Sequence, residues 1–137
     1  MEAEGIAQFA VRAVIPFAGR VLLLKRRTDD YLGSGRWELP NGTVESGESL
    51  GEALIRVVQQ QTGLNVVDVR SHLGSSDYTS ASDQQVRQYN FVAEVVPTQQ
   101  IKLATHETYV WADLRKDLPV SAADQSALSN FLNGLIG

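Results

Sequence analysis

The sequence predicts a single α+β domain. Three observations carry this: apolar residues alternate with period two near the amino end, a capped amphipathic helix follows in the middle, and further strand-like runs precede a second helix at the carboxyl end. At 137 residues there is room for one domain, 1–137, and 43% apolar with 20% charged residues is a globular composition rather than a disordered or fibrous one.

Phe9, Val11, Ala13 and Ile15 alternate with Ala10, Arg12 and Val14, a strand with two unlike faces that ends at Pro16. After a turn over 17–19, RVLLLKRR at 20–27 reads as a second strand, buried on both faces and expected to pair with the first as a hairpin. Thr28 to Gly35 is polar, glycine-containing loop. Trp37 to Leu39 makes a short extended piece before Pro40, because the residue before a proline avoids the helical region. The helix comes next. Ser49 and Glu52 have capping-box spacing, Gly63 stands where a left-handed carboxyl cap is wanted, and Leu50, Ala53, Leu54, Val57, Val58 and Thr62 form an apolar stripe. Asn65 to Gly74 and Val86 to Val95 read as strands joined by a polar connection, SSDYTSASDQQ, long enough to be a binding loop or merely a solvated one. Thr108 to Trp111 is a last short strand, and Ser121 to Ile136 a helix with Leu128, Phe131, Leu132 and Leu135 on one side.

Composition removes several functions. Twelve Lys and Arg against sixteen Asp and Glu give a net charge of -4, so no nucleic acid is expected as partner, since backbone binding relies on a basic excess. The lack of cysteine excludes disulfides, thiolate zinc sites, iron–sulfur clusters and a Cys nucleophile, and His72 and His106 are too few for a His-rich metal centre. The acidic start MEAEGIAQ is unlike a signal peptide, and no run approaches the roughly 18 apolar residues of a membrane span. A soluble, cytoplasmic protein with no membrane partner is expected.

The segment from Trp37 to Leu64, WELPNGTVESGESLGEALIRVVQQQTGL, resembles the Nudix hydrolase family, whose box reads G, five residues, E, seven residues, R-E-U-x-E-E-x-G-U with U aliphatic. Gly42, Glu48, Arg56, Val58, Gly63 and Leu64 take the marked positions in register, and HETYVWADL at 106–114 is similar to the family's late strand. The resemblance implies an α+β, three-layer α/β/α sandwich around a mixed sheet. It also implies hydrolysis of the pyrophosphate bond in a nucleoside diphosphate linked to another moiety, assisted by Mg²⁺ or Mn²⁺. The partner would be a nucleotide-type small molecule, and a homodimer is left open.

The departures fall on the chemistry. Where the family has its three metal-binding glutamates, this chain has Val57, Gln60 and Gln61. Spacings of three and four residues gather these positions at one corner of a helix. Mg²⁺ prefers anionic oxygen, so an amide is a poor replacement and a valine none. Metal is therefore expected to be weak or absent, arriving only with substrate. The Gly42 carbonyl and Glu107 are the remaining ligand candidates by the family pattern. Glu48, Arg56 and Glu107 are the catalytic candidates. Glu48 is read first as the structural partner of Arg56 and second as a base, while an exposed Glu52–Arg56 helix pair is the plain alternative. Arg27 and Arg36, with Arg26, stand where phosphates would be met unless Asp29 and Asp30 neutralise them. Trp37 and Tyr89, with Tyr78, would stack on a base unless they belong to the core. Gln59 to Gln61 read equally as a solvated helix face, Val57 suggests a corner that packs, and His106 reads as a strand-edge residue. Two functions follow: a hydrolase with weak or altered activity, or a catalytically inactive nucleotide-binding or regulatory module. A purely structural role is a third.

Overall fold

Pro16 decides how the chain is divided. Lacking an N–H, it cannot extend the ladder of β1 (Gln8–Val14), and the chain turns into a second sheet. The computed structural model describes residues 5–27, 36–97, 100–114 and 119–136, with Leu135 and Ile136 described by backbone alone. The predicted loop over 28–35, with Asp29 and Asp30, and the Leu135 side chain lie outside this description.

The first sheet has the order β5-β1-β7-β6, from β5 (Asn41–Thr43), β1, β7 (Gln85–Val95) and β6 (Val66–Thr79). It is mixed, since β1 runs parallel to β7 and antiparallel to β5. In the second sheet β3 (Arg20–Lys25) pairs along its length with β8 (Thr108–Asp113), and antiparallel with β2 (Pro16–Phe17) and β4 (Trp37–Glu38). The expected hairpin between the first two long strands does not form. Both edges of β1 are taken by β5 and β7, so only Pro16–Phe17 folds back on Arg20–Val21.

Alternate residues of the same strands face opposite ways, and this builds three layers. Val11, Ala13, Ile15, Leu22 and Leu24 pack with α1 (Leu50–Thr62). Val14, Val21, Leu23, Leu39 and Val92 pack with α2 (Ala122–Ile136). The capping box at Ser49 and Glu52 is present in full, and Gly63 closes α1 at φ 77°, donating its N–H to the Gln59 carbonyl at 2.9 Å. Ser121 is the cap rather than the first residue of α2, its hydroxyl accepting the Asp124 N–H at 3.2 Å.

The polar connection predicted between β6 and β7 is mostly strand. Pairing continues from Ser75 opposite Tyr89 to Thr79 opposite Gln85, which leaves only a tight turn over 80–84. Register shifts between Val66 and Asp68, Val69 and His72, and His72 and Ser75 break the two-residue period that a sequence pattern relies on.

A buried polar cluster ties β1, β7 and α2 together. Arg12 donates to Asn90 Oδ1 at 2.8 Å and to Gln88 Oε1 at 2.7 Å, while its Nε lies 2.6 Å from Asp124 Oδ1. The last contact is Coulombic rather than an aligned hydrogen bond. Burial raises the Asp124 carboxyl above its ordinary value, and Arg12 with the Leu39 backbone only partly offsets this.

Candidate functional site

The box folds as one mechanical unit. Arg56, at the middle of α1, reaches the loop before the helix with a paired contact, Nε to Glu48 Oε2 at 2.7 Å and Nη2 to Glu48 Oε1 at 2.9 Å. It also donates to the Thr43 carbonyl at 2.8 Å, so loop, β5 and helix share one guanidinium. Glu52 does not take this arginine, because its carboxylate accepts the Ser49 N–H at 2.8 Å in the capping box. The Arg56 hydrogen bond, helped by the Glu45 backbone, holds the Glu48 carboxyl below its ordinary value. A carboxylate so held makes a weak base, which favours the structural reading of the pair.

The sign of this shift sets a pH prediction. An acid lowered in the folded state contributes stability that is full above its unfolded value of 4.5 and is lost as pH falls through the folded value. The thermal midpoint of the unmodified protein should therefore fall more steeply below pH 4.5 than that of Glu48→Gln. Parallel midpoint curves for the two proteins would show that the pair contributes nothing.

At the three departed positions the corner is occupied by the protein itself. Val57 is 3% exposed, and a Cβ placed on Gly42 would stand 2.8 Å from its Cγ2, so the valine packs on bare glycine backbone. Gln60 Oε1 accepts from Arg56 at 3.0 Å. Gln61 clamps β5, giving its Nε2–H to the Asn41 carbonyl at 2.7 Å and accepting the Asn41 N–H on Oε1 at 3.3 Å. Gln59 and Gln60 are the solvated face that the sequence allowed, whereas Gln61 is half-buried and engaged. This donor set does not fit a hard divalent cation. One position is a buried hydrocarbon, and the amide facing the corner already satisfies a peptide group. Among the described residues no three His, Asp or Glu side chains converge as a metal cluster. Gly42→Ala should cost about 1–3 kcal/mol in a denaturant titration, because Val57 has to move. Full stability in that variant would show that the contact is slack.

Beside the clamp lies a polar cavity of about 280 Å³, lined by Arg26, Glu38, Asn41, Gln61, Thr105 and His106. Its least expected feature is a part-buried pair. His106 Nε2 meets Glu38 Oε2 at 2.7 Å, and the imidazole is only 6% exposed. Burial works to raise the Glu38 carboxyl, but the hydrogen bond with His106 and the charge of Arg26 outweigh it, and the group stays below its ordinary value. His106 is thus a wall of the cavity rather than an edge residue without a partner. Sequence offered no signal for this, since 68 positions separate the two side chains.

The other candidates are dispersed. Glu107 donates its backbone N–H to the Lys25 carbonyl, and its carboxylate lies 3.8 Å from Lys25 Nζ, next to the cavity wall but not in it. Arg27 and Arg36 are exposed at the ends of the segment over 28–35. Trp37 packs into the core on the α2 side. Tyr89 stands opposite Val11, on the α1 side, stacked on Phe9 at 6.3 Å. The two aromatics lie on opposite faces and cannot sandwich one base. A larger hollow of about 710 Å³ opens beyond the β2–β3 turn, among Phe17, Leu73, Val92, Leu114 and Phe131, and no box residue lines it.

A three-layer sandwich whose first helix is pinned by a Glu–Arg pair to a glycine-bearing loop defines a class. The NUDIX domain family model matches residues 7–128, and the chain belongs to the Nudix family. A MutT protein from Methanosarcina mazei Go1 superposes with a TM-score of 0.79 at 27% identity, covering 95% of this chain and 96% of that one. An ADP-ribose pyrophosphatase of Methanocaldococcus jannaschii is 38% identical over 65 residues, 47% of this chain and 37% of that protein. An octanoyltransferase of Myxococcus xanthus is 32% identical over 98 residues, 69% of this chain and 27% of that protein. The chain thus matches only about a quarter to a third of the length of these two curated relatives. No helix among the described residues is long and apolar enough to cross a membrane.

Proposed function

We propose that this Nudix domain recognises a nucleoside diphosphate linked to another group, and that cleavage of the pyrophosphate bond is reduced to a weak residual reaction without a box-held cation. The observation that carries this is the corner itself. Val57 fills it and Gln61 clamps the Asn41 backbone, while the polar cavity beside it remains. The names of the relatives support the ligand class, since one is an ADP-ribose pyrophosphatase. The family's reaction uses a divalent metal to polarise the pyrophosphate and ready a water for attack, and these residues supply no anionic oxygen from the helix for it. A catalytically inactive binding or regulatory module is the same reading with the residual rate at zero. The exposed Arg27 and Arg36 suit contact with phosphates, and Glu107 is the candidate carboxylate for a metal that enters with substrate.

The test is a panel of nucleoside diphosphate derivatives, measured for binding by calorimetry and for hydrolysis with Mg²⁺. Binding with turnover far below about 1 s⁻¹ is expected. Turnover near the ordinary enzyme range would overturn the weakened-hydrolase reading, and binding of no member would leave a structural role. Calorimetric titration with Mg²⁺ alone should give affinity no tighter than about millimolar. Micromolar binding would mean that Glu45, Glu52 or Glu107 had taken over as ligands.

A further inference from the structure

The hollow of about 710 Å³ beyond the β2–β3 turn belongs neither to the box nor to the polar cavity. Leu73, Val92 and Phe131, with Leu114, give it an apolar floor, and all four belong to the core on the α2 face, across the sheet from α1. Its volume falls within the about 300–1,000 Å³ of small-molecule sites, which are mostly apolar with a few polar groups in the wall. Phe17 also lines it and is 50% exposed, a large side chain that an apolar occupant would cover.

The helix leaves this space open. Asn130, Phe131 and Gly134 line it together, since spacings of three and four residues put them on one face of α2. Asn130 ties that face to β6, donating Nδ2–H to the Leu73 carbonyl at 2.7 Å, so the floor is fixed. A Cβ on Gly134 would meet no atom within 4 Å, so packing does not demand a glycine there. Glycine in a helix costs up to about 1 kcal/mol relative to alanine, and here it keeps the hollow free of a side chain.

Charge says which occupant fits. Among the described lining residues the permanently charged side chains are Arg20 and Arg70, and no carboxylate accompanies them. Arg20 gives Nη1–H to the Trp111 carbonyl at 3.3 Å, and Arg70 Nη1 lies 3.3 Å from Glu94 Oε2 in an exposed pair. An exposed pair is worth little and each guanidinium carries five donors, so both arginines keep capacity for an anion. A bare phosphate would leave the apolar floor wet, and a plain hydrocarbon would leave the arginines unused. We propose that the hollow is a second ligand site, for a small monoanion with an apolar body such as a medium-chain carboxylate. The chain lies on Leu73, Val92 and Phe131, and the arginines of the wall take the head. The site is independent of the box and of any hydrolysis there.

The experiment is calorimetric titration with sodium decanoate below its micelle range. Saturable binding to one site is expected, at least about tenfold tighter than that of decylammonium chloride or sodium acetate. Arg20→Gln with Arg70→Gln, at two exposed positions, should weaken decanoate by about tenfold or more. Gly134→Leu, which places a side chain in the open volume, should weaken it as much without lowering the thermal midpoint. Should Gly134→Leu fail to fold, the arginine variant still decides. Unchanged decanoate affinity in the folded variants would place the binding elsewhere and overturn the site. Equal binding of decylammonium would remove the anionic head, and equal binding of acetate would remove the apolar body; either overturns the proposal. Absence of decanoate binding overturns it as well, and a dimer that Gly134→Leu dissociates would then assign the hollow to a second copy of the chain.

Discussion

Arg12→Ala is expected to destabilise the fold by about 3–5 kcal/mol, the range for breaking a buried ion pair by removing one partner. Three buried groups lose Arg12 at once. Asp124, with its side chain 5% exposed, keeps its charge without a cation, and Gln88 Oε1 and Asn90 Oδ1 lose hydrogen bonds of 2.7 and 2.8 Å. The loss would show as a lower denaturation midpoint at constant slope. Its pH dependence has a definite sign. An acid raised in the folded state binds its proton more tightly there, so stability falls as pH rises from the unfolded value of 3.8 through the folded one. Without Arg12 the Asp124 carboxyl is raised further. The deficit of the variant should therefore be largest near neutrality and narrow as pH falls, when Asp124 protonates. A deficit below about 1 kcal/mol would mean that water reaches the cluster and solvates Asp124. Arg12→Met with Asp124→Leu should recover part of the loss, because replacing both charges removes the uncompensated one.

Restoring Glu at 57, 60 and 61 together is expected to create Mg²⁺ binding and to raise pyrophosphate hydrolysis from near background. The helix already presents Val57 against Gly42 and Gln61 against the adjacent Asn41 backbone, with Gln60 exposed beside Arg56. The costs differ from residue to residue. Gln60 is exposed and next to Arg56, so its change is nearly free. Gln61→Glu loses the donor to the Asn41 carbonyl, about 1–2 kcal/mol. Val57→Glu buries a carboxylate against Gly42 and should cost several kcal/mol until metal binds. The clearest readout is thermal. Mg²⁺ at about 100 times its Kd should stabilise the triple variant by about 2.7 kcal/mol and leave the unmodified protein unmoved. A folded triple variant that Mg²⁺ does not stabilise would show that the corner has lost more than its charges.

The local elements of this chain were legible because their causes are local. Ser49, Glu52 and Gly63 cap α1 through contacts within a few residues, and the apolar stripe from Leu50 to Thr62 follows from 3.6 residues per turn. The Glu48–Arg56 contact was legible through family resemblance, and the packed corner through the one valine among positions that should be acidic. Strand pairing was less so. β1 and β3 carry hairpin-like patterns, but the edges of β1 were claimed by strands more than twenty residues away in sequence. The far half of β6 is not legible as strand, because its bulges break the alternation and its residues are solvated.

The sequence by itself determined the family, the helix that carries the box, and that Val57, Gln60 and Gln61 stand where the resemblance implies carboxylates, since each is a matter of which residue stands at which spacing. Only the tertiary structure decided what replaced them. That Gln61 clamps Asn41, that Val57 rests on Gly42, that Arg12 serves Asp124, Gln88 and Asn90, and that Glu38 holds His106 are facts of position. The physical reason is range. Capping and amphipathic periodicity act over one or two turns of chain, whereas the partner of a buried charge or imidazole is whichever group the packed layers bring within about 3 Å, and pattern along the chain carries no record of that distance.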